Sequence, residues 1–291
     1  MNKSPKIIIS YFFGPSSIPI GSSCAQALKE LGCNVFCFNS GIESSMDRFF
    51  FKPANKVIQA GGFRNINISR GSPHNNQNYR QDLLEKAVKE FRPDILFVLR
   101  GNGYDCDYIT YLKEEYKIKK IVGWWVKGPK WFDLMHLESK GYDHYFCIHR
   151  EGYTDKTEIS YLPALAVDSY NYRLQYSHDQ RPYRHEVVFV GGWYQRRQEF
   201  LEGLKDFRVS LYGPKWKKKI LNRRIYRMVK ASSIWGEDLI ELYNTAKISL
   251  NISAWDTGNF SGLNFRVMDV PTCGSFLLTD YSDDLREYFK L

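Results

Sequence analysis

Short unbroken apolar runs alternate with longer mixed segments along this chain, and the alternation predicts strands and helices in succession. Residues 6–12 (KIIISYF) are apolar without a period of two, the mark of a strand buried on both faces. A Gly/Pro/Ser loop follows, then a helical segment at 21–31 ended by Gly32, then a strand at 33–38. A helix at 77–91 is closed by Pro93-Asp94 before the strand ILFVLR at 95–100. A helix at 107–117, a strand at 120–125, a helix at 130–140 and a strand at 144–149 continue the series.

The rhythm breaks at 163–184, which is polar, rich in tyrosine and bracketed by prolines, and residues 171–184 read as a linker. It then restarts with a strand at 186–191, a helix at 194–204, a strand at 207–213, a helix at 236–246 and a strand at 247–252. A helix at 262–272, a strand at 275–279 and a helix at 282–289 complete it. The expected fold class is therefore α/β, with two doubly wound Rossmann-like domains facing a cleft: residues 1–170 and residues 185–291. Open α/β sheets bind ligands beyond the carboxyl ends of their strands, so those ends are where site residues are sought.

Composition narrows the partners. The chain has 291 residues, with 41 Lys and Arg against 32 Asp and Glu, a net charge of +9. That surplus favours nucleotides, nucleic acid, acidic glycans or anionic lipid without choosing among them. Aromatic residues reach 16%, enough to line sites that stack on rings or sugars, and equally enough to fill a core. The six cysteines contain no C-x-x-C pair and are expected to be free thiols. The N-terminal apolar run is a strand, too short for a signal peptide, and no stretch approaches the ~20 apolar residues of a membrane span. The expected location is the cytoplasm, with peripheral membrane contact left open.

Two segments carry candidate chemistry. In VVFVGGWYQRR (187–197) a strand runs into Gly191-Gly192 and a helix opens with Arg196 and Arg197. Glycines admit a diphosphate close to the backbone, and helix N–H groups and arginine neutralise it. A tight structural turn explains the same residues. In SGLNFRVMDVPTCGSFLLTDY (261–281), Ser261-Gly262 is expected to open a helix, with Arg266 and Asp269 one turn apart. A carboxylate at 269 suits the two hydroxyls of a ribose; an ordinary surface ion pair is the alternative.

The run Arg266-Val267-Met268-Asp269, then Cys273-Gly274, then FLLTDY, resembles the C-terminal signature of glycosyltransferases like the spore maturation protein CgeB. VVFVGGWYQRR, LYGPKW (211–216) and ELYNTAKISLNIS (241–253) are similar to other parts of the same domain, and RPDILFVLRG, IVGWWVKGP, YDHYFC and YLPALAVD to its companion domain. The resemblance implies a retaining glycosyltransferase of the GT-B superfamily that uses a nucleotide diphosphate sugar, UDP-sugar favoured, with no resident cofactor and no metal. It implies donor contacts from Gly191, Gly192, Trp193, Arg196, Arg197, Tyr212, Ser261, Gly262, Leu263, Asn264, Arg266 and Asp269. Asp269, Arg196 and His149 are the candidates for the reacting centre. The acceptor, a polymer or other anionic molecule, would enter over Phe13, Gly14, Arg100, Trp125 and Lys127.

The pattern is not matched everywhere. Asp269 stands where that family has glutamate, Ser261 stands eight residues before it where related enzymes carry a second glutamate, and Lys127-Gly128 replaces an acidic pair. Such proteins usually continue beyond the position of Leu291, so a shortened C-terminal domain is expected. A DNA-modifying glycosyltransferase, a nucleotide-sugar epimerase of similar fold and a binding protein without transferase activity stay open beside the main reading.

Two further features need separate readings. Asp105-Cys106-Asp107 spells the D-x-D of metal-dependent glycosyltransferases, but its place after a strand predicts helix caps. Residues 213–233 hold no acid; Leu221, Ile225, Met228 and Val229 fall on one helical face and Lys219, Arg223, Arg227 and Lys230 on the other. A basic amphipathic helix is therefore expected there, with a membrane or DNA contact through 215–230 or a plain solvated face.

Overall fold

The isoleucines of the first apolar run, Ile7, Ile8 and Ile9, are buried on an inner strand of a sheet, parallel to both its neighbours. The computed structural model describes residues 4–14, 17–99, 104–152, 159–164, 168–169, 171–219 and 222–290. The chain divides into two units: one drawn from Met1–Lys127, Trp131–Phe146 and Thr154–Ser160, the other from Gly128–Lys130, Cys147–Tyr153 and Tyr161–Leu291.

The first unit begins with β1 (Lys6–Tyr11), α1 (Ile20–Glu30) and β2 (Asn34–Asn39). A π-helical turn (Asp47–Phe51) runs straight into α2 (Lys52–Ala60), and α3 (Asn76–Phe91), β3 (Ile95–Leu99), α4 (Cys106–Tyr116) and β4 (Lys120–Trp125) follow. The series ends with α5 (Phe132–Ser139), β5 (His144–Cys147) and β6 (Ile159–Tyr161). The strand order is β2-β1-β3-β4-β5-β6, with β1 parallel to β2 and β3, and β3 parallel to β4. The order reverses beside β1, so its switch point lies between β1 and β3. The Asn75 side chain accepts from the Asn78 amide to start α3, and Arg92 and Lys117 close α3 and α4 in the left-handed region. Asp105 sits at the cap position of α4, yet its carboxylate accepts from the Gln77 and Gln81 amides of α3 and makes no cap bond. The expected cap is thus a tie between two helices.

The second unit runs β7 (His185–Val190), α6 (Gln195–Gly203), β8 (Val209–Tyr212), α7 (Trp216–Lys219), α8 (Arg223–Met228) and β9 (Val229–Ala231). It continues with α9 (Gly236–Thr245), β10 (Ala246–Asn251), α10 (Arg266–Thr272), β11 (Phe276–Thr279) and α11 (Leu285–Tyr288). Its order, β11-β10-β7-β8-β9, is all parallel and places the reversal between β7 and β10. These are the two Rossmann-like sheets that the sequence predicts.

Three expectations are corrected. Residues 213–233 do not form one amphipathic helix: α7 and α8 are short, β9 follows, and Trp216, Ile225, Met228 and Val229 are buried with Phe189 and Leu211 in the unit's own core. The helix expected from 262 begins at Arg266, because Ser261 and Gly262 are held in a loop described below. The segment 171–184 belongs to the second unit. Tyr172 is buried there, Arg173 pairs with Glu237, Tyr176 and Arg184 bind Glu241, and Arg181 donates to the Gly274 carbonyl. No helix among the described residues is long and apolar enough to cross a membrane.

Candidate functional site

The switch point of the second unit is built by lacing loops together through their backbones. After β7, the Gly191 amide donates to Tyr212 O (2.8 Å) and the Trp193 amide to Pro214 O (3.0 Å). Gly213, at φ +149°, lies so close that a Cβ there would stand 2.0 Å from Gly191 O, so only glycine fits. The Trp216 indole donates to Gly191 O (2.7 Å) from the core, and Arg197 donates to Gly192 O (2.8 Å) and Ile252 O (2.9 Å). Arg197 is 5% exposed and fixes the carboxyl ends of β7 and β10 against each other. Trp193 donates to Gln198, and Tyr212 is half-buried against the core around Val188.

Two more guanidinium groups meet here. Arg266 donates to Asn251 Oδ1 (3.0 Å) and Val190 O (3.1 Å), the last residues of the two strands. Arg196 donates to Asp280 Oδ2 (2.7 Å) and Ser253 O (3.3 Å), and its side chain is 41% exposed. Burial depresses Arg197 to about 9, and the charge of Arg266 adds to that shift. Burial likewise lowers Arg266. Three cations share one strand-end site with Asp280 as the carboxylate that pairs Arg196, an arrangement suited to an anion.

The loop from Ser253 to Phe265 is clamped from the segment after β5. His149 is fully buried, and its Nδ1 lies 2.5 Å from Ser261 O. Its ring meets Trp255 edge-on at 5.0 Å. Glu151 accepts from the Ser261 amide (2.9 Å) and hydroxyl (2.7 Å), and the Arg150 amide donates to Ser261 Oγ (2.6 Å). The Gly262 amide donates to Asp284 (2.7 Å), which also accepts from Arg150. Gly262 has φ +94°, and a Cβ there would stand 2.6 Å from His149 Nδ1. Asn264 Oδ1 accepts from the Arg266 amide (3.2 Å), whereas its Nδ2, like Trp255 Nε1, is buried with no partner. Two orphaned donors on one loop call for an acceptor, and a ligand rich in oxygen supplies one.

Asp269 is one turn into α10 and 7% exposed. Burial raises it to about 8, the neighbouring Asp168 reinforces the rise, and a hydrogen bond from Tyr172 opposes it. It is thus largely a neutral acid at pH 7, able to donate as well as accept, where an ionised carboxylate was expected.

Several predicted residues have other duties. His149 holds the Ser261 loop and is sealed from solvent, so it is not an exposed base. Leu263 packs with Val267 and Leu285 in a small core. In the first unit, Trp125 is fully buried and cannot line a rim, while Lys127 stacks its ammonium over that ring at 4.9 Å. Phe13 and Gly14 do follow β1 at its carboxyl end, the Phe13 amide donating to Asn39 Oδ1 (3.1 Å). Arg100 lies outside the described residues. Asp280, Arg150, Glu151 and Asp284 were not foreseen; Asp280 stood in the FLLTDY motif, but the other three are recognisable only once their partners are known.

Among the described residues no group of three or more His, Cys, Asp or Glu side chains is placed to hold a metal, Asp105 and Asp107 included. All six cysteines are free.

The two parallel sheets give the chain a GT-B fold. Solved structures share it: an alpha-glucosyltransferase in complex with UDP and a 13-mer DNA containing a central A:G mismatch superposes with a TM-score of 0.57 at 12% identity, over 95% of this chain and 79% of that one. An alpha-glucosyltransferase in complex with UDP gives 0.56 at 11% identity, over 95% and 80%. A UDP-N-acetylglucosamine 2-epimerase gives 0.51 at 14% identity, over 97% and 81%. Identities this low establish the fold alone. A search of curated protein sequences returned no match. Residues 196–291 match the sequence model of the glycosyl transferase-like family, the stretch that carries Arg196, Arg266, Asp269 and Asp280. The C-terminal part of the chain is thus similar to glycosyl transferase-like sequences, on a fold that GT-B enzymes share.

Proposed function

We propose that the protein moves a sugar from a UDP-sugar to a polymeric or otherwise anionic acceptor, with retention at the anomeric carbon. The observation that carries the donor reading is the meeting of Arg196, Arg197 and Arg266 at the ends of β7 and β10, at the switch point where doubly wound sheets take their ligands. Arg197 and Arg266 hold the scaffold. Arg196, the exposed member, swings from Asp280 to the diphosphate and stabilises the charge that develops on the leaving group. Asn264 and Trp255 offer their unpaired N–H groups to the donor, and Asp269, as a neutral acid, meets the ribose hydroxyls. The phosphates are neutralised by guanidinium groups without a metal. Retention rests on the resemblance to CgeB-like enzymes.

The UDP-bound relatives in fold support this choice of nucleotide, and the DNA-bound one keeps a DNA acceptor as the second reading, which the charge of +9 favours. A thermal-shift panel of nucleotide sugars tests the donor, since a native-state ligand raises apparent stability. UDP-sugars should raise the melting temperature and be slowly hydrolysed without acceptor. A panel in which no uridine nucleotide shifts the transition contradicts the proposal. The anomeric form of the first-released sugar, read by NMR, decides retention.

A further inference from the structure

The π-helical turn at Asp47–Phe51 and α2 form one continuous helical rod on the first unit, and α2 buries none of its residues. Pro53, Val57 and Ala60 share one face of α2, and Met46, Phe49 and Phe50 extend it along the preceding turn, away from Asp47 and Phe51. All six are exposed, Phe49 and Val57 to 73% and 72%. The opposite side, with Asp47 and Phe51 buried, seats the rod on the unit. Asn55 then ties down the following loop, accepting from the Ile68 amide (2.9 Å) and donating to Asn67 (2.8 Å). That loop adds Phe63 and Ile66, 62% and 48% exposed. Isolated exposed apolar residues are ordinary, but a contiguous patch of this kind marks an interaction surface.

Charge selects the partner. Between Arg48 and Gln81 the sequence holds Arg48, Lys52, Lys56, Arg64, Arg70 and Arg80 and no Asp or Glu. Arg48, Lys52 and Lys56 edge one flank of the apolar face, all exposed; Lys52 is paired with Glu43. The patch side chains are phenylalanine, methionine, valine and isoleucine, with no polar tip to read a base or a peptide. A protruding apolar ridge edged by cations is the form of a helix that lies in a membrane interface. We infer that residues 46–66 dock the protein on an anionic lipid surface, the ridge entering the headgroup–acyl boundary and the basic flank meeting lipid phosphates. In the 215–230 stretch, by contrast, Trp216, Ile225, Met228 and Val229 are spent on the unit's own core.

Cosedimentation with phosphatidylcholine vesicles, with and without phosphatidylglycerol, tests the inference. The protein should pellet with the anionic vesicles, less so at high salt, and only weakly with phosphatidylcholine alone. Phe49→Ser with Phe50→Ser should weaken that binding at least tenfold with an unchanged melting temperature, both positions being exposed. Lys56→Gln with Arg64→Gln and Arg70→Gln should remove the salt dependence. Phe49→Trp should give an indole emission that shifts blue on anionic vesicles. No vesicle binding, binding untouched by the serine variant, an unshifted indole, or binding to duplex DNA in place of vesicles would each overturn the inference.

Discussion

Asp269 and the arginines around it show how burial changes what a side chain can do. An aspartate raised to about 8 binds a proton in the folded state that it releases in the unfolded chain above its ordinary value near 4. Folding stability should therefore fall as pH rises from about 4 to about 8, at up to ~1.4 kcal/mol per unit from this group, and level off beyond. Asp269→Asn should flatten that decline, leaving a variant that loses less stability than the parent between pH 5 and pH 8. Urea unfolding across the pH range measures it, and identical slopes would show that Asp269 is ionised in the native protein. Arg196 and Arg197 are neighbours in sequence with opposite expectations. Arg197→Met leaves the carbonyls of Gly192 and Ile252 unpaired in the core and should cost about 2–4 kcal/mol of stability. Arg196→Ala removes an exposed cation and should leave stability within ~0.5 kcal/mol while lowering turnover of a nucleotide sugar. Equal effects of the two changes on stability would contradict the division of roles.

At the scale of elements, most strands were legible because a parallel strand buried on both faces reads as a largely apolar run, as β1, β3, β4 and β7 do. What misled was amphipathicity. The period of Leu221, Ile225 and Met228 gave a helix face, but nothing local reveals that Trp216 anchors the chain first and that β9 takes over at Val229. The ridge at 46–60 carries aromatic positions edged by basic residues, but its turn is π-helical and its exposed face follows from the fold, not from a simple helical period. The Ser261–Gly262 loop was missed as a loop for a different reason: its shape is imposed by His149, Glu151 and Asp284, all more than twenty residues away in sequence. Gly262→Ala should therefore do more than strain one dihedral. A Cβ at 2.6 Å from His149 forces the clamp apart, and unfolding should show a loss of about 2 kcal/mol or more. A loss under half that value would mean the loop yields freely and the clamp is not rigid.

For the whole molecule, the pattern of the chain predicted two Rossmann-like sheets, and the switch-point rule points to the candidate site at the ends of β7 and β10. The individual contacts were less legible, since Arg197, Leu263, Trp125 and His149 bear residue types suited to a ligand and spend them on packing. The account's central claim is that the C-terminal unit holds a uridine diphosphate by guanidinium groups. It is tested most directly by titration calorimetry of UDP in the presence of a chelator, with Arg196→Ala in parallel. The account predicts one site per chain, affinity unchanged by the chelator, and a loss of about tenfold or more in the variant, as expected for a charge-assisted contact of ~1.5–3 kcal/mol. No UDP binding to the parent protein, binding abolished by the chelator and restored by manganese, or full affinity in Arg196→Ala would contradict it.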